Sequence, residues 1–580
     1  MKTFAEGTWE RPSKIILGID IGTTESAVAF AYLYPGGPQS LHRVTAWPGQ
    51  EASKGESKIP TLVYYDSDKK AVSFGAETRK PETEERAEEE QWQLARHFKL
   101  HLHPNALKHE NNIRIEPLPT GVSLLSIYTD FMAYLLKHTR EYFESRIIDG
   151  QRIWADHHED MTVVLAHPNG WGLKEQTFLR QAAIAANYVA SSKATSHIRF
   201  VSEAEASVHF CMLYGDLHNR LKPSTTFVVC DAGGSTIDTT TYNVKSASPM
   251  LEIEERKAPA CVQAGGIFVD NEYEQHLARV LARVDLDEVT RNECLRRSIE
   301  DFKAFSKKEF DDVERQYGVD LGARRLRQEE LGIKRGAIVL EGKVVETFFE
   351  KCIAQAMESV RQQISGTECR HILLVGGFGY INIANESTAK AVADGAVIWC
   401  GKTSVISRAT RAAYGLDINV PYNPSDRDHY GRRIHRHAAG YEYLIHGWSQ
   451  IIGQGIVVSA DSTRRDTYWC SYRTPNPDLG DFKVAVFAYT GEENPGPWLR
   501  DPQGNLNQGF GQVCEIVVDL EAMRQSLKHR IGKDGDFYYL IFTIMFNFGS
   551  TELQASLEWE QDGKTLSIPA TIVPSAVSNQ

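Results

Sequence analysis

Two short segments carry residues whose types and spacing suit the handling of phosphate. The first is Asp20-Ile21-Gly22-Thr23-Thr24, and the second is Asp231-Ala232-Gly233-Gly234-Ser235-Thr236-Ile237-Asp238. In each, an aspartate closes an apolar run, glycine follows, and hydroxyl residues come next. Glycine lets a backbone turn tightly and approach a phosphate with no Cβ in the way. The hydroxyls of Thr23, Thr24, Ser235 and Thr236, together with the turn amides, can donate to phosphate oxygens. Asp20 and Asp231 are the expected holders of a Mg²⁺ ion through water, because magnesium keeps much of its hydration shell. One such segment alone reads as a plain β-hairpin. Two of them predict phosphate-binding turns that face each other across a cleft.

A third element, His371-Ile372-Leu373-Leu374-Val375-Gly376-Gly377-Phe378, is a strand that ends in a glycine pair. An adenine and ribose could lie there against bare backbone. The elements that must position these turns are short apolar runs such as residues 161–166 and 372–375, which read as buried strands. Residues 176–190 and 347–364 carry helical spacing. Strands alternating with helices argue for a doubly wound α/β architecture between residues 14 and 415. Residues 282–335 are charged and favour helix, which predicts a small helical subdomain inserted in the second half. After Gly415 the composition changes. Residues 416–440 are irregular and predict a linker. Beyond them, residues 482–489, 513–520 and 537–548 are β-type, and Leu553-Gln554-Ala555-Ser556-Leu557-Glu558-Trp559-Glu560 alternates as a half-buried strand does. Residues 441–580 therefore predict a β-rich C-terminal domain.

Composition narrows the class further. A length of 580 residues calls for several cores. A formal charge of −12 argues against non-specific binding to nucleic acid or anionic membranes. The nine cysteines are dispersed with no Cys-x-x-Cys pair, which fits a reducing compartment rather than a disulfide framework. The first fourteen residues lack the apolar core of a signal peptide. No apolar run reaches the ~18 residues of a membrane helix. A cytoplasmic protein with no membrane association is expected.

The three glycine segments, in this order, resemble the actin-like ATPase superfamily, and within it the heat shock protein 70 family. That family begins with a strand followed by Asp-x-Gly-Thr-Thr, as in Asp20 to Thr24, and its second phosphate loop is similar to Asp231 to Asp238. Ser57-Lys58-Ile59-Pro60-Thr61-Leu62-Val63-Tyr64-Tyr65 looks like the strand pair after its first hairpin. Val201-Ser202-Glu203-Ala204-Glu205-Ala206 looks like its Asn-Glu-Pro-x-Ala-Ala helix start, which makes Glu203 the implied carboxylate that orients water or Mg²⁺. Gly265 and Gly266 fall in a segment similar to its Gly-Gly-x-Asp-Phe-Asp-Asn, and Lys99 stands where it keeps a phosphate-contacting lysine. Lys307 and Lys308 match the basic pair of its adenosine clamp, Glu-x-x-Lys-Arg, although Ala304 replaces the glutamate. The stretch after Gly379 is shortened, with Ala389 where an acid is expected. The resemblance covers residues 14–415. It implies a duplicated actin-like (ribonuclease H-like) fold, with lobes at 14–205 and 206–415 and the inserted helical subdomain in the second. A small β-rich domain follows. The implied cofactors are ATP or ADP with Mg²⁺, and the implied catalytic residues are Asp20, Lys99, Glu203, Asp231 and Thr236. Gly22, Thr23, Thr24, Gly233, Gly234, Ser235, Gly376, Gly377 and Phe378 would cradle the nucleotide. Client polypeptides, J-domain proteins and nucleotide-exchange factors are the implied partners. The chain stops without the family's helical lid, which points to its divergent, lid-less branch in fungi and animals.

Slow ATP hydrolysis in a chaperone-type switch is the function these readings favour. A pseudo-ATPase scaffold and a small-molecule kinase, with Asp238 as base, are the alternatives. Other patterns are set aside. Residues 395–403 have five residues, not four, before Gly401-Lys402 and so do not make a phosphate loop. His97, His101 and His103 read as exposed helix or loop histidines, as do His157 and His158. Arg432-Arg433-Ile434-His435-Arg436-His437 reads as a solvated linker.

Overall fold

A computed structural model describes residues 2–53, 55–104, 115–214, 221–246, 251–378, 391–401, 405–460, 462–480, 482–491, 493–549 and 551–574. It is a mixed α/β protein with several sheets. The first large sheet runs in the order Lys2–Thr8, Pro38–Arg43, Glu25–Leu33, Lys14–Ile21, Thr162–His167, Ile198–Ser202. Its first strand precedes Lys14, the residue at which the lobe was expected to begin. Lys14–Ile21 pairs antiparallel with Glu25–Leu33 and parallel with Thr162–His167, so it lies inside the sheet. Both its faces are covered. Ile15, Leu17, Ile19 and Ile21 enter one core, whereas Ile16 faces another beneath the helix Ala391–Gly401. Gly18 permits this approach, since a Cβ there would stand 2.4 Å from the Ala393 carbonyl oxygen. Burial on both sides is why the run reads as continuously apolar.

The second large sheet is ordered Cys369–Val375, Thr226–Ala232, Ile237–Ser246, Glu252–Glu255, Val405–Ala409, Val457–Ser459. Thr226–Ala232 pairs parallel with Cys369–Val375 and antiparallel with Ile237–Ser246. In each sheet, then, an Asp-bearing strand has a parallel neighbour on one side and a hairpin partner on the other. The helix Gly342–Ile364 covers the second sheet, with Ser359 Oγ 2.7 Å from Thr239 Oγ1.

Two expectations need correction. The inserted subdomain at about 282–335 is not purely helical. Its helix Glu288–Ala304 is followed by a three-stranded sheet of Gln316–Asp320, Ile333–Lys334 and Ala337–Glu341. In that sheet Tyr317, Val319, Ile338 and Leu340 supply a buried alternating face, which charged neighbours mask in the sequence. The expected linker at 416–440 begins too early, because residues 416–421 belong to a strand. Strand Ala413–Pro421 is an inner strand of a six-stranded sheet, flanked by Glu442–Ile452 and Phe482–Tyr489. That sheet packs on a five-stranded one built on Gly535–Asn547, around Leu416, Val486, Ile516, Leu540, Phe542, Phe546 and Leu557. The strand Gly535–Asn547 contains all but the last residue of the run 537–548 read as β-type.

This β-sandwich is tied to both large sheets. Strand Val457–Ser459, which lies between sandwich strands in the sequence, closes the second sheet by pairing with Val405–Ala409. Arg180 on the helix Leu173–Ala185 meets Glu552 at 2.6 Å, and Gln176 Nε2 donates to the Thr551 carbonyl. Among the described residues, no helix is long and apolar enough to cross a membrane.

The helices Glu203–Tyr214 and Ala391–Gly401 cross where a Cβ on Gly395 would fall 1.8 Å from the Ala206 carbonyl oxygen. The same helix shows that residues 395–401 form no phosphate loop. Gly395→Val should force these helices apart and cost about 3 kcal/mol or more. Thermal melting tests this, and a midpoint within about 2 °C of the parent would contradict it.

Candidate functional site

Both Asp-bearing strands end at the same cleft, which measures about 3110 Å³. Parallel strands direct their carboxyl ends, where ligands of α/β sheets bind, toward one side. Asp20 leaves the first sheet there. Asp231 and the Gly376-Gly377 pair leave the second together, because Asp231 is in register with Val375. Gly376 adopts φ +91, and a Cβ there would lie 2.3 Å from the Ala232 carbonyl oxygen, so only glycine fits.

The two hydroxyl turns meet across the cleft. Thr23 Oγ1 lies 2.6 Å from Ser235 Oγ, and both residues are buried. The Gly265 turn backs the second of them: the amide of Gly266 donates to Gly233 O at 3.3 Å and that of Ile267 to Gly234 O at 2.9 Å. Asp20, Gly22, Thr23, Thr24, Lys99, Glu203, Asp231, Gly233, Gly234, Ser235, Thr236, Gly266, Lys307, Lys308, Gly376, Gly377 and Phe378 all line the cleft. Gly265 supports it from behind without lining it. Lys307 is engaged by Asp270 at 2.7 Å and by the Gly266 carbonyl, whereas Lys308 is exposed. The shortened stretch after Gly379, including Ala389, lies outside the described residues.

The charges of the cleft are unbalanced. Lys99 Nζ contacts Glu203 Oε1 at 2.7 Å, with both side chains buried. Burial pulls the lysine down, but Glu203 and Asp20 more than offset this and the net shift is upward. Burial and the neighbouring Glu203 raise the carboxyl of Asp20 to about 6 and that of Asp231 to about 7. Asp231 also accepts from Ser207 Oγ at 2.8 Å. Asp238 is pushed to about 8 by burial, Glu203 and Asp231, although the amide of Asn169 donates to it at 2.6 Å. Buried carboxylates thus outnumber the buried lysine. Such a site gains by taking up a cation. Among the described residues no three His, Cys, Asp or Glu side chains converge as a direct ligand set. The donor chemistry therefore fits an ion held by two carboxylates, water and phosphate oxygens.

Sequence reasoning missed several participants. His103 is not an exposed histidine but is 2 % exposed, with Trp171 Nε1 3.0 Å from its Nδ1 and Ser235 Oγ 3.4 Å from its Nε2. Asn169 and Ser207, which hold Asp238 and Asp231, had no local signature. The Pro168-Asn169-Gly170 turn after the strand Thr162–His167 was the one available hint.

No protein-family model matches the chain. Among curated proteins it is 22% identical over 317 residues to heat shock 70 kDa protein 12A of Mus musculus. It is 22% identical over 316 residues to the Homo sapiens form, and 21% identical over 317 residues to heat shock 70 kDa protein 12B of Homo sapiens. Each match covers 46% of this chain and 45% of the relative, so the chain spans about half the length of these relatives. These matches support the heat shock protein 70-like resemblance carried by the motifs.

Proposed function

We propose that the cleft binds Mg·ATP on a duplicated actin-like fold, hydrolyses it slowly, and passes the state of the nucleotide to the β-sandwich. The observation that carries this reading is the meeting of two glycine-hydroxyl turns over a buried surplus of carboxylates. Thr23, Thr24, Ser235, Thr236 and the turn amides would donate to phosphate oxygens. Asp20 and Asp231 would hold magnesium through water, and the ion, when bound, neutralises phosphate charge. Lys99 is placed to offset charge that develops on a phosphoryl oxygen, and Glu203 holds that lysine and can orient a water. Gly376, Gly377 and Phe378 offer a flat wall for the nucleoside. The strand Val457–Ser459 in the second sheet gives the cleft a physical route to the C-terminal domain. Client polypeptides would be the partners of that domain.

A second reading, a scaffold that does not turn over nucleotide, draws on the clamp. Lys307 is engaged by Asp270, and Ala304 has no carboxylate to offer a ribose. Calorimetry with Mg·ATP separates the two. The first reading expects binding heat and a rise in melting temperature, both abolished by Asp20→Ala. Absent heat at high protein concentration would support the scaffold, and an unchanged response in Asp20→Ala would remove the proposed site.

A further inference from the structure

Behind Ser235, which lines the cleft, lies a buried imidazole that the proposed chemistry leaves unused. His103 sits one turn beyond Lys99, closed in by the Trp171 ring edge at 5.7 Å between centroids. An indole N–H can only donate. With Trp171 Nε1 3.0 Å from Nδ1, that imidazole nitrogen must present its lone pair. The proton of the neutral ring therefore belongs on Nε2, which faces Ser235 Oγ at 3.4 Å. A protonated ring would set two N–H groups against each other, with the Lys99 ammonium also close by, 5.4 Å from the Trp171 centroid. The other charged groups around this lysine are Glu203, Asp20 and Asp238.

The direction of donation then propagates. Ser235 Oγ accepts from His103, so its own proton points onward, and the next oxygen is Thr23 Oγ1 at 2.6 Å. We infer that His103, held as its Nε2–H tautomer by Trp171, is a positioning residue that aims the Ser235 hydroxyl proton at the phosphate position between the two turns. This inference rests on the reading of Ser235 as a phosphate-contacting hydroxyl. Phosphate oxygens only accept, so a hydroxyl already committed to donating into the cleft needs no reorientation when they arrive. Members of such a chain also polarise one another, which strengthens the last donor. In the nucleotide-free protein, Thr23 takes the place of the phosphate oxygen and holds the two turns together.

Three variants and two measurements test this. Nitrogen NMR of ¹⁵N-histidine-labelled, nucleotide-free protein should show His103 as the neutral Nε2–H tautomer at pH 6. In Trp171→Phe, which keeps a ring but removes the donor, that signal should begin to titrate. Calorimetry with Mg·ATP should show affinity falling about tenfold in Trp171→Phe and in His103→Leu, the loss expected for one directed hydrogen bond. His103→Gln, whose amide can donate as Nε2 does, should recover most of it. Circular dichroism confirms that each variant is folded. A wild-type Nδ1–H tautomer, or equal affinity in folded His103→Leu, overturns the inference alone. A wild-type protein that takes up no Mg·ATP overturns the nucleotide reading and, with it, this role for Ser235.

Discussion

Arg408→Met should be among the most destabilising single substitutions in this protein. The guanidinium joins two other parts of the molecule. Its Nη2 contacts both Glu205 carboxylate oxygens, at 2.7 and 2.8 Å, and its Nη1 donates to the Gly549 carbonyl of the sandwich at 2.8 Å. Glu205 also accepts from Trp399 Nε1 at 2.7 Å, and Glu255 accepts from the amide of Ala409 at 2.9 Å. Burial already raises the Glu255 carboxyl to about 7, with Arg408 acting against that rise. Methionine fills a similar volume but leaves Glu205, 2 % exposed, without its cation. Removing one partner of a buried pair costs about 3–5 kcal/mol, because the other is left charged in a poor solvent. In melting temperature that is on the order of 10 °C. Adding Glu205→Gln should return a large part of the loss, since the amide keeps the indole bond and carries no charge. A melting temperature for Arg408→Met close to the parent's, or no recovery in the double variant, would show that the network is not under this electrostatic strain.

Asp231→Asn is expected to act in the opposite sense on stability. A carboxyl whose pKa is raised by folding binds more protons folded than unfolded. Stability therefore falls as pH rises from the unfolded value of 3.8 to about 7 for Asp231, and the full cost is present above that. Asparagine cannot ionise, yet it still accepts from Ser207 Oγ. At pH 8 the nucleotide-free variant should be more stable than the parent by a few kcal/mol, on the order of 2–4. The gap should narrow at pH 5 and close only below about pH 4, where the carboxyl is protonated in the folded and the unfolded chain alike. Mg·ATP should stabilise the parent but not the variant. Melting curves at pH 5 and pH 8, with and without Mg·ATP, contain the whole comparison. A variant less stable than the parent at pH 8 would mean that the carboxylate is already compensated in the empty cleft.

The site was legible in the sequence where its chemistry is local. Asp20 and Asp231 announce themselves because a strand end, a glycine and hydroxyls are consecutive, and the structure brings Thr23 and Ser235 into contact. Lys99 and Glu203 came from family resemblance rather than spacing, since 104 residues separate them. His103 was misread because three histidines spaced His-x-x-x-His-x-His near a short helix look solvated. Its burial depends on Trp171, 68 residues on, and no local pattern reports that. The same holds for Glu205 and Arg408, 203 residues apart. The sheet of the inserted subdomain was hidden for another reason. In Gln316–Asp320, Tyr317 and Val319 alternate over too short a run to stand out among arginines and acids. Residues 416–440 mislead because Ala413–Pro421 begins its strand before the change in composition and ends it after.

The strand Val457–Ser459 bears on how the chain can be divided. It belongs by sequence to the β-sandwich, but it completes the sheet that carries Asp231. Cutting the gene near residue 415, where composition suggests a natural break, would strip the second lobe of its last strand. The backbone groups of Val405–Ala409 would then be open to pairing with another molecule. A fragment that keeps the cleft and is meant to stay monomeric has to extend past Ser459 and so takes part of the sandwich with it. Gene fusion or domain exchange at that composition break would meet the same obstacle: the two units share a hydrogen-bonded seam and are inherited as one piece.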